Sequence, residues 1–368
     1  MRLVGVELRS VSLPLVAPFS SATGTETLRR VLLVRAVGAG GEGWGECVAM
    51  DAPHYSSEYL EGAAAVLRRF LVPALAGPGD LTGPLVGERL ARVKGHPMAK
   101  AALELAVLDA ELRTAELSLA SYLGAVRSAV PAGVAVGITA SVEELLEVVA
   151  GYVEAGYGRV KLKVRPGWDL APVRAVREAF GEELALQVDA NGSYRLADAP
   201  RLARLDPFGL ALIEQPLAED DLAGHAALAR RIATPVCLDE TVTSARVAAT
   251  ALGLGACSVV NVKAGRVGGY LEARRVHDVC AASGVPLWCG GMLETGLGRA
   301  ANVALAALPG FVLPGDLSAS DRYFAQDLTR PFVLEDGHLA VPDGPGLGVA
   351  PLPEVLDEAT TWTEWVPV

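Results

Sequence analysis

Three acidic residues stand at equal spacing: Asp189, Glu214 and Asp239 are 25 residues apart. Carboxylates crowded together repel, and burial raises their pKa values. A hard divalent cation relieves both effects. Oxygen-only ligation suits Mg²⁺, with Mn²⁺ or Co²⁺ as substitutes, and leaves positions for water and substrate oxygens. None of the three positions is a histidine, which argues against Zn²⁺. Isolated acids often cap helices, but capping does not account for the regular spacing. Two lysines, Lys161 and Lys163, lie in "RVKLKV" (159–164), and Lys263 ends "NVK" (261–263). In a strand, Val160, Leu162 and Val164 share one face and the two lysines the other. If that second face points into a closed barrel, the buried ammonium groups are costly unless something requires them.

That requirement is chemical. A carboxylate substrate held by a cation has a more acidic α-proton, because the ion stabilises the enediolate left on deprotonation. A lysine of lowered pKa can take the proton, and Lys161 together with the cation would lower that of Lys163. Lys161 would also hold the substrate carboxylate. Lys163 would be the base on one face. Lys263 would be the acid on the other, or a cation steadying the enediolate. Opposed bases are what a racemase requires. Asn191 and Glu240, one or two residues from the acids, would hydrogen-bond to them or cap helices.

The elements that must position these residues repeat. Eight short apolar runs recur at intervals of about 25 residues: "VAVGIT" (134–139), "RVKLKV" (159–164), "LALQVDAN" (184–191), "LALIEQP" (210–216), "TPVCLDE" (234–240), "CSVVNVK" (257–263), "VPLWCGG" (285–291) and "FVLPGDLS" (311–318). Amphipathic segments separate them. Two of these, 141–156 and 270–284, end in Gly as helices often do. The alternation predicts βαβ units and a parallel sheet. Eight runs predict a closed barrel, with an open doubly wound sheet as the alternative. Polar residues at the C-terminal strand ends favour the barrel, where such sites are built. Strands six and two of a barrel are diametrically opposed, which sets Lys263 against Lys163 across the mouth.

The first part differs. "VELRSVSLPL", "RRVLLVRAVG" and "GWGECVAM" read as an antiparallel meander, and "SEYLEGAAAVLRRFLVPAL" and "PMAKAALELAVLDAELRTAE" as helices. The expected domains are 1–128, an α+β capping domain; 129–325, the barrel; and 326–368, a tail with short strands in "PFVLEDGHLAV" that packs back on the first domain.

Composition excludes some functions. The net charge of -11 argues against nucleic acid and anionic membranes. The five cysteines include no C-x-x-C pair, and most read as buried, reduced thiols. No signal peptide and no transmembrane run is read. The expected setting is the cytoplasm, and the expected partners are a small-molecule carboxylate and further copies of the chain in a homo-oligomer. "GAGGEG" (38–43) matches a dinucleotide loop, but a strand follows it rather than a helix, so it reads as a hairpin turn. His225 and His277 read as structural. His54 and His96 are substrate-side candidates.

The chain resembles the enolase superfamily in its muconate-lactonizing subgroup. The matching motifs are "KLK" (161–163), "VDAN" (188–191), "IEQP" (213–216), "LDE" (238–240) and "NVKAGRVGG" (261–269), and the likeness spans essentially the whole chain. "GHPMAKAALELAVLDAE" and "LPGDLSAS" are similar to the branch of N-acylamino acid racemases that also act as o-succinylbenzoate synthases. The resemblance implies a modified TIM barrel, (β/α)7β, with the capping domain completed by the C-terminal tail. It implies Asp189, Glu214 and Asp239 as Mg²⁺ ligands and Lys163 with Lys263 as the acid/base pair. It also implies that loops 18–26 and 50–57 close over the mouth and exclude water. Phe19, Met50, Tyr55, Gly291, Met292 and Leu293 are the expected pocket. The implied reactions are racemisation of N-acyl or N-succinyl amino acids and syn-dehydration to o-succinylbenzoate, a menaquinone precursor. A dipeptide epimerase would use the same acid/base set. A Schiff-base aldolase, which needs no metal, is the rival class.

Overall fold

Strands β1 (Leu3–Ser21), β2 (Gly24–Gly38) and β3 (Gly41–Cys47) form an antiparallel meander. The computed structural model describes residues 1–21 and 24–368. "GAGGEG" is the β2–β3 hairpin turn, as expected. Gly43 and Gly45 let β3 lie directly on the helix Pro97–Thr114, because a Cβ at either would strike that helix's backbone. The segment expected as the loop 18–26 is strand on both sides: Phe19 pairs with Glu26 and Ser20 with Thr25. Residues 22 and 23 of that segment lie outside the described residues. The hairpin docks on the barrel, where Ile138 N–H donates to the Ser20 carbonyl at 3.2 Å.

After the short β4 (Ala129–Pro131), seven parallel strands follow in chain order. They are β5 (Gly133–Val136), β6 (Arg159–Lys163), β7 (Ala185–Asp189), β8 (Ile213–Glu214), β9 (Val236–Leu238), β10 (Val259–Val262) and β11 (Leu287–Cys289). The eighth run, expected as a full strand, is instead a stave held by isolated bridges, Leu287 with Phe311 and Ala132 with Gly315. Pro314 has no N–H to give a ladder there. The stave still closes the barrel: Asp316 N–H donates to Cys289 O at 2.9 Å, and Gly133 N–H to Gly315 O at 2.8 Å.

Each strand is buried on both faces, because helices cover the outside. The helix Val142–Glu154 starts on Ser141, whose hydroxyl accepts the Glu144 N–H at 3.2 Å, and its chain turns away at Gly156, φ +92°. Inside the barrel, Leu212, Cys237, Val259 and Trp288 form a separate apolar cluster. That cluster is the floor beneath the polar mouth.

Of the stretch expected as tail strands, only β12 (His338–Ala340) forms, and it pairs with β4. The last strand, β13 (Thr360–Pro367), pairs with β1, giving the sheet order β13-β1-β2-β3. All five cysteines are free and buried. Among the described residues, no helix is long and apolar enough to cross a membrane.

Candidate active site

Residues 159, 161 and 163 of β6 point into the barrel because strand side chains alternate. Arg159 is deepest. Its guanidinium lies 5.3 Å from the centre of the Trp288 ring and donates to Asp316 Oδ1 at 2.8 Å. Lys161, 1% exposed, sits 4.6 Å above the same ring. Its Nζ reaches Glu214 Oε2 at 2.9 Å, Asp189 Oδ2 at 3.4 Å and Asp316 Oδ2. Burial lowers its pKa, but the charges of Asp316, Glu214 and Asp189 outweigh burial and hold it above the ordinary lysine range. Lys163, nearest the mouth, donates to Asp189 Oδ2 at 2.6 Å and to Asn191 Oδ1 at 2.8 Å.

Register brings the acids together. Lys163 is paired with Asp189 and Asp189 with Glu214, so the three form one lateral row. Cys237 is the partner of Glu214, and Asp239, two residues on, returns to the same face. Burial pushes the Asp189 carboxyl up, but Lys163 and Lys161 more than offset this and hold it at about 2. Glu214, 0% exposed, is raised by burial and by the charge of Asp189. Its Oε1 accepts from the Asn261 side-chain amide at 2.7 Å. Asp239 accepts from Lys263 Nζ at 2.8 Å and from the Arg266 guanidinium. Gln215 fixes this strand end, its Oε1 accepting the N–H groups of Asp239 at 3.0 Å and Thr241 at 3.2 Å. Asn191 bridges the row to Glu240, donating at 2.8 Å. Burial and the charge of Asp189 raise the pKa of Glu240.

Lys263 is held from the capping domain as well. It donates to the Tyr55 hydroxyl at 3.1 Å, and its Nζ lies 4.8 Å from that ring's centre. Burial lowers its pKa, while Tyr55, Glu240 and Glu214 raise it further, so the net direction is upward. On the strand circuit, β7, β8 and β9 lie between β6 and β10 on one side. On the other side lie β11, the 311–316 stave and β5. Lys163 and Lys263 therefore occupy opposite sides of the mouth.

Among the described residues, no three acidic, imidazole or thiol groups close on a single point. Each acid is instead taken by a lysine, arginine or amide. The donor chemistry fits a hard divalent cation: three carboxylates on neighbouring staves, with no imidazole grouped with them among the described residues, and with the Cys237 thiol beside Glu214 pushed up by burial. Asn261 Oδ1 and Glu240 Oε2, buried without hydrogen-bond partners, add oxygen atoms that such an ion's water shell would satisfy.

A cavity of about 440 Å³ opens over this floor. Phe19, Met50, Tyr55, Gly291, Met292 and Leu293 all line it, together with Lys161, Lys163 and Lys263. His54 lines it too. His96 does not: it precedes the helix Pro97–Thr114 with φ +57°, so its candidacy is corrected to a helix-entry role. His225 and His277 are structural, Nε2 accepting from Leu217 N at 3.2 Å and from Gly310 N at 3.1 Å.

Sequence reasoning passed over Arg159, Gln215, Asn261, Arg266, Asp316 and Tyr323. Arg159 shares the alternation of the two lysines, and Asp316 stands at the mouth end of the eighth run, so both had a signal. Tyr323, which lines the cavity, had none, since it follows the barrel repeats in irregular chain.

Residues 3–124 match the N-terminal domain of the mandelate racemase / muconate lactonizing enzyme family, and residues 144–355 match the enolase C-terminal domain-like family. The chain belongs to the mandelate racemase / muconate lactonizing enzyme family of the enolase superfamily. It is 65% identical over 366 residues to an N-succinylamino acid racemase of Amycolatopsis sp, covering 100% of both chains. It is 46% identical to an o-succinylbenzoate synthase of Geobacillus kaustophilus, covering 93% of this chain and 92% of that one. A crystal structure of an enolase superfamily member from Listeria innocua superposes with a TM-score of 0.96 at 39% identity, covering 100% of this chain and 99% of that one. Enzymes of this family depend on a divalent metal ion, and this chain is such an enzyme.

Proposed function

We propose that this chain racemises N-succinyl amino acids and dehydrates a β-hydroxy carboxylate precursor to o-succinylbenzoate, with Asp189, Glu214 and Asp239 holding Mg²⁺. One observation carries the reading: two lysines from opposite staves enter one cavity above three carboxylates on adjacent staves. A divalent ion at those acids supplies positive charge that stabilises electrons arriving on the substrate carboxylate.

The chain's own residues do the rest. Lys161, anchored by Glu214 and Asp316, presents a fixed cation to the substrate carboxylate. Lys163 takes the α-proton from one face. Lys263, held in place by Asp239 and Tyr55, gives a proton to the other face, which inverts the centre. In the dehydration, a β-hydroxyl leaves as water with a proton from the same side, so one lysine serves as base and then as acid. The Phe19 hairpin and the Met50–Tyr55 segment keep water from the site. The cytoplasm and a homo-oligomeric assembly belong to the same reading; sedimentation velocity checks the assembly.

The test is a side-by-side measurement of kcat/KM for N-succinyl amino acids and for the o-succinylbenzoate precursor. Turnover of either supports the reading. Turnover of neither, with epimerisation of dipeptides instead, replaces it. Trapping of a lysine by borohydride plus substrate would move the enzyme to the aldolase class.

A further inference from the structure

Glu46, on β3 of the capping sheet, is 5% exposed. Its side chain crosses into the barrel domain. Oε1 accepts the Thr295 N–H at 3.0 Å, and Oε2 accepts the Thr295 hydroxyl at 2.6 Å and the Gly298 N–H at 3.0 Å. These donors begin the helix Gly296–Ala306, every residue of which is buried. The helix N-terminus favours an anion. A Cβ on Gly298 would stand 3.0 Å from Oε2, so the helix is kept bare where the acid approaches.

The residues just before Thr295 are a wall of the cavity: Gly291, Met292, Leu293 and Glu294. Leu293 has φ +58°, a conformation that a branched aliphatic residue keeps only when its surroundings impose it. Glu294 helps impose it, accepting the Met292 N–H at 2.8 Å and the Asn302 side-chain amide at 2.9 Å. A second stretch of the cavity lining starts at Met50, four residues beyond Glu46, and Val48 and Ala49 lead into it. There the buried Arg29 donates to Val48 O at 3.0 Å, to Ala49 O at 3.2 Å and to Met50 Sδ at 3.0 Å. Arg29 and Glu294 are also the charged groups that bear on Glu46. Burial without a hydrogen-bonded cation is costly for a carboxylate. It pushes Glu46 up to about 7.

We propose that Glu46 is a positioning residue that sets the spacing between the Met50 wall and the Met292–Leu293 wall, and through it the acyl or side-chain group the cavity admits. The inference rests on the proposed function for its substrates. Glu104 supplies the contrast. It too is a capping-domain acid, 5% exposed, accepting the Leu271 N–H at 3.1 Å beside Gly269 at the start of the helix Tyr270–Ala282. It carries no wall of the cavity.

The experiment compares Glu46→Gln and Glu46→Ala with Glu104→Gln and Glu104→Ala in the metal-loaded enzyme. The Glu46 variants are expected to raise KM for N-succinylphenylalanine by ~10-fold with kcat within ~3-fold, while Glu104 variants of equal melting temperature leave KM within ~2-fold. Hydrogen exchange at the amides of 292–298 is expected to speed up by ~10-fold in Glu46→Gln and to stay unchanged in Glu104→Gln. An unmoved KM in the Glu46 variants, equal rises at both positions, or unchanged protection of 292–298 overturns the proposal. If Glu46→Ala does not fold, Glu46→Gln decides, since it keeps the side chain's size. A wild-type enzyme inactive on N-succinyl substrates defeats the reading of function, and the exchange measurement then still judges Glu46.

Discussion

Lys163→Ala and Lys263→Ala should separate the two faces of the substrate. Each lysine lines the cavity, and three staves lie between their strands on either side. Each substitution also leaves the neighbouring acid with a cation: Asp189 keeps Lys161 at 3.4 Å, and Asp239 keeps Arg266. The variants should therefore fold, and the loss should be chemical. A positioned acid or base contributes roughly 10²- to 10⁴-fold. Taking the middle of that range, ~10³-fold corresponds to about 4 kcal/mol of barrier. The assay is α-deuterium exchange in D₂O by NMR, run on each enantiomer of an N-succinyl amino acid. Lys163→Ala should lose exchange of one enantiomer by that factor and retain most of the other. Lys263→Ala should show the mirror pattern, and both should lose racemisation. Equal loss on both enantiomers in each variant, or no loss, would falsify the opposed arrangement.

Other outcomes follow from the same geometry. EDTA should abolish exchange, Mg²⁺, Mn²⁺ or Co²⁺ should restore it, and borohydride with substrate should leave it untouched; survival in EDTA removes the role assigned to the three acids. Lys161→Met strips Glu214 of a lysine partner at 2.9 Å. Breaking a buried pair of this kind costs about 3–5 kcal/mol, to be read by urea unfolding. Glu46 and Glu104 are each raised from 4.5 to about 7 by burial. The folded state then holds more protons than the unfolded state between those values. Their contribution to stability should fall as pH climbs from 4.5 to about 7 and level off above. The double Gln variant should flatten that slope in pH-dependent unfolding, and an unchanged slope refutes the assignment.

Much of the barrel was legible because its signals are periodic. A repeat of about 25 residues marks each strand and helix. Alternation set Lys161 and Lys163 on one face, and the equal spacing of Asp189, Glu214 and Asp239 set each acid at a strand end. The eighth stave was legible as a run but not as a ladder, since Pro314 removes a donor that composition alone does not flag. The resemblance implies a loop over 18–26, yet pairing across β1 and β2 makes its described residues strand. The helix starting at Pro97 was legible, but not that the left-handed His96 before it, φ +57°, stands outside the cavity.

Local pattern thus determined which residues face inward and at what height in the barrel. It could not determine which charge answers which. Asp316 meets Arg159 and Lys161 only when the last stave closes against the first. Glu46 meets Thr295 across 249 residues of chain. Periodicity is carried by neighbours in sequence, whereas ion pairs and cross-domain hydrogen bonds depend on closure of the barrel and docking of the capping sheet. Those contacts form only when the whole chain has folded.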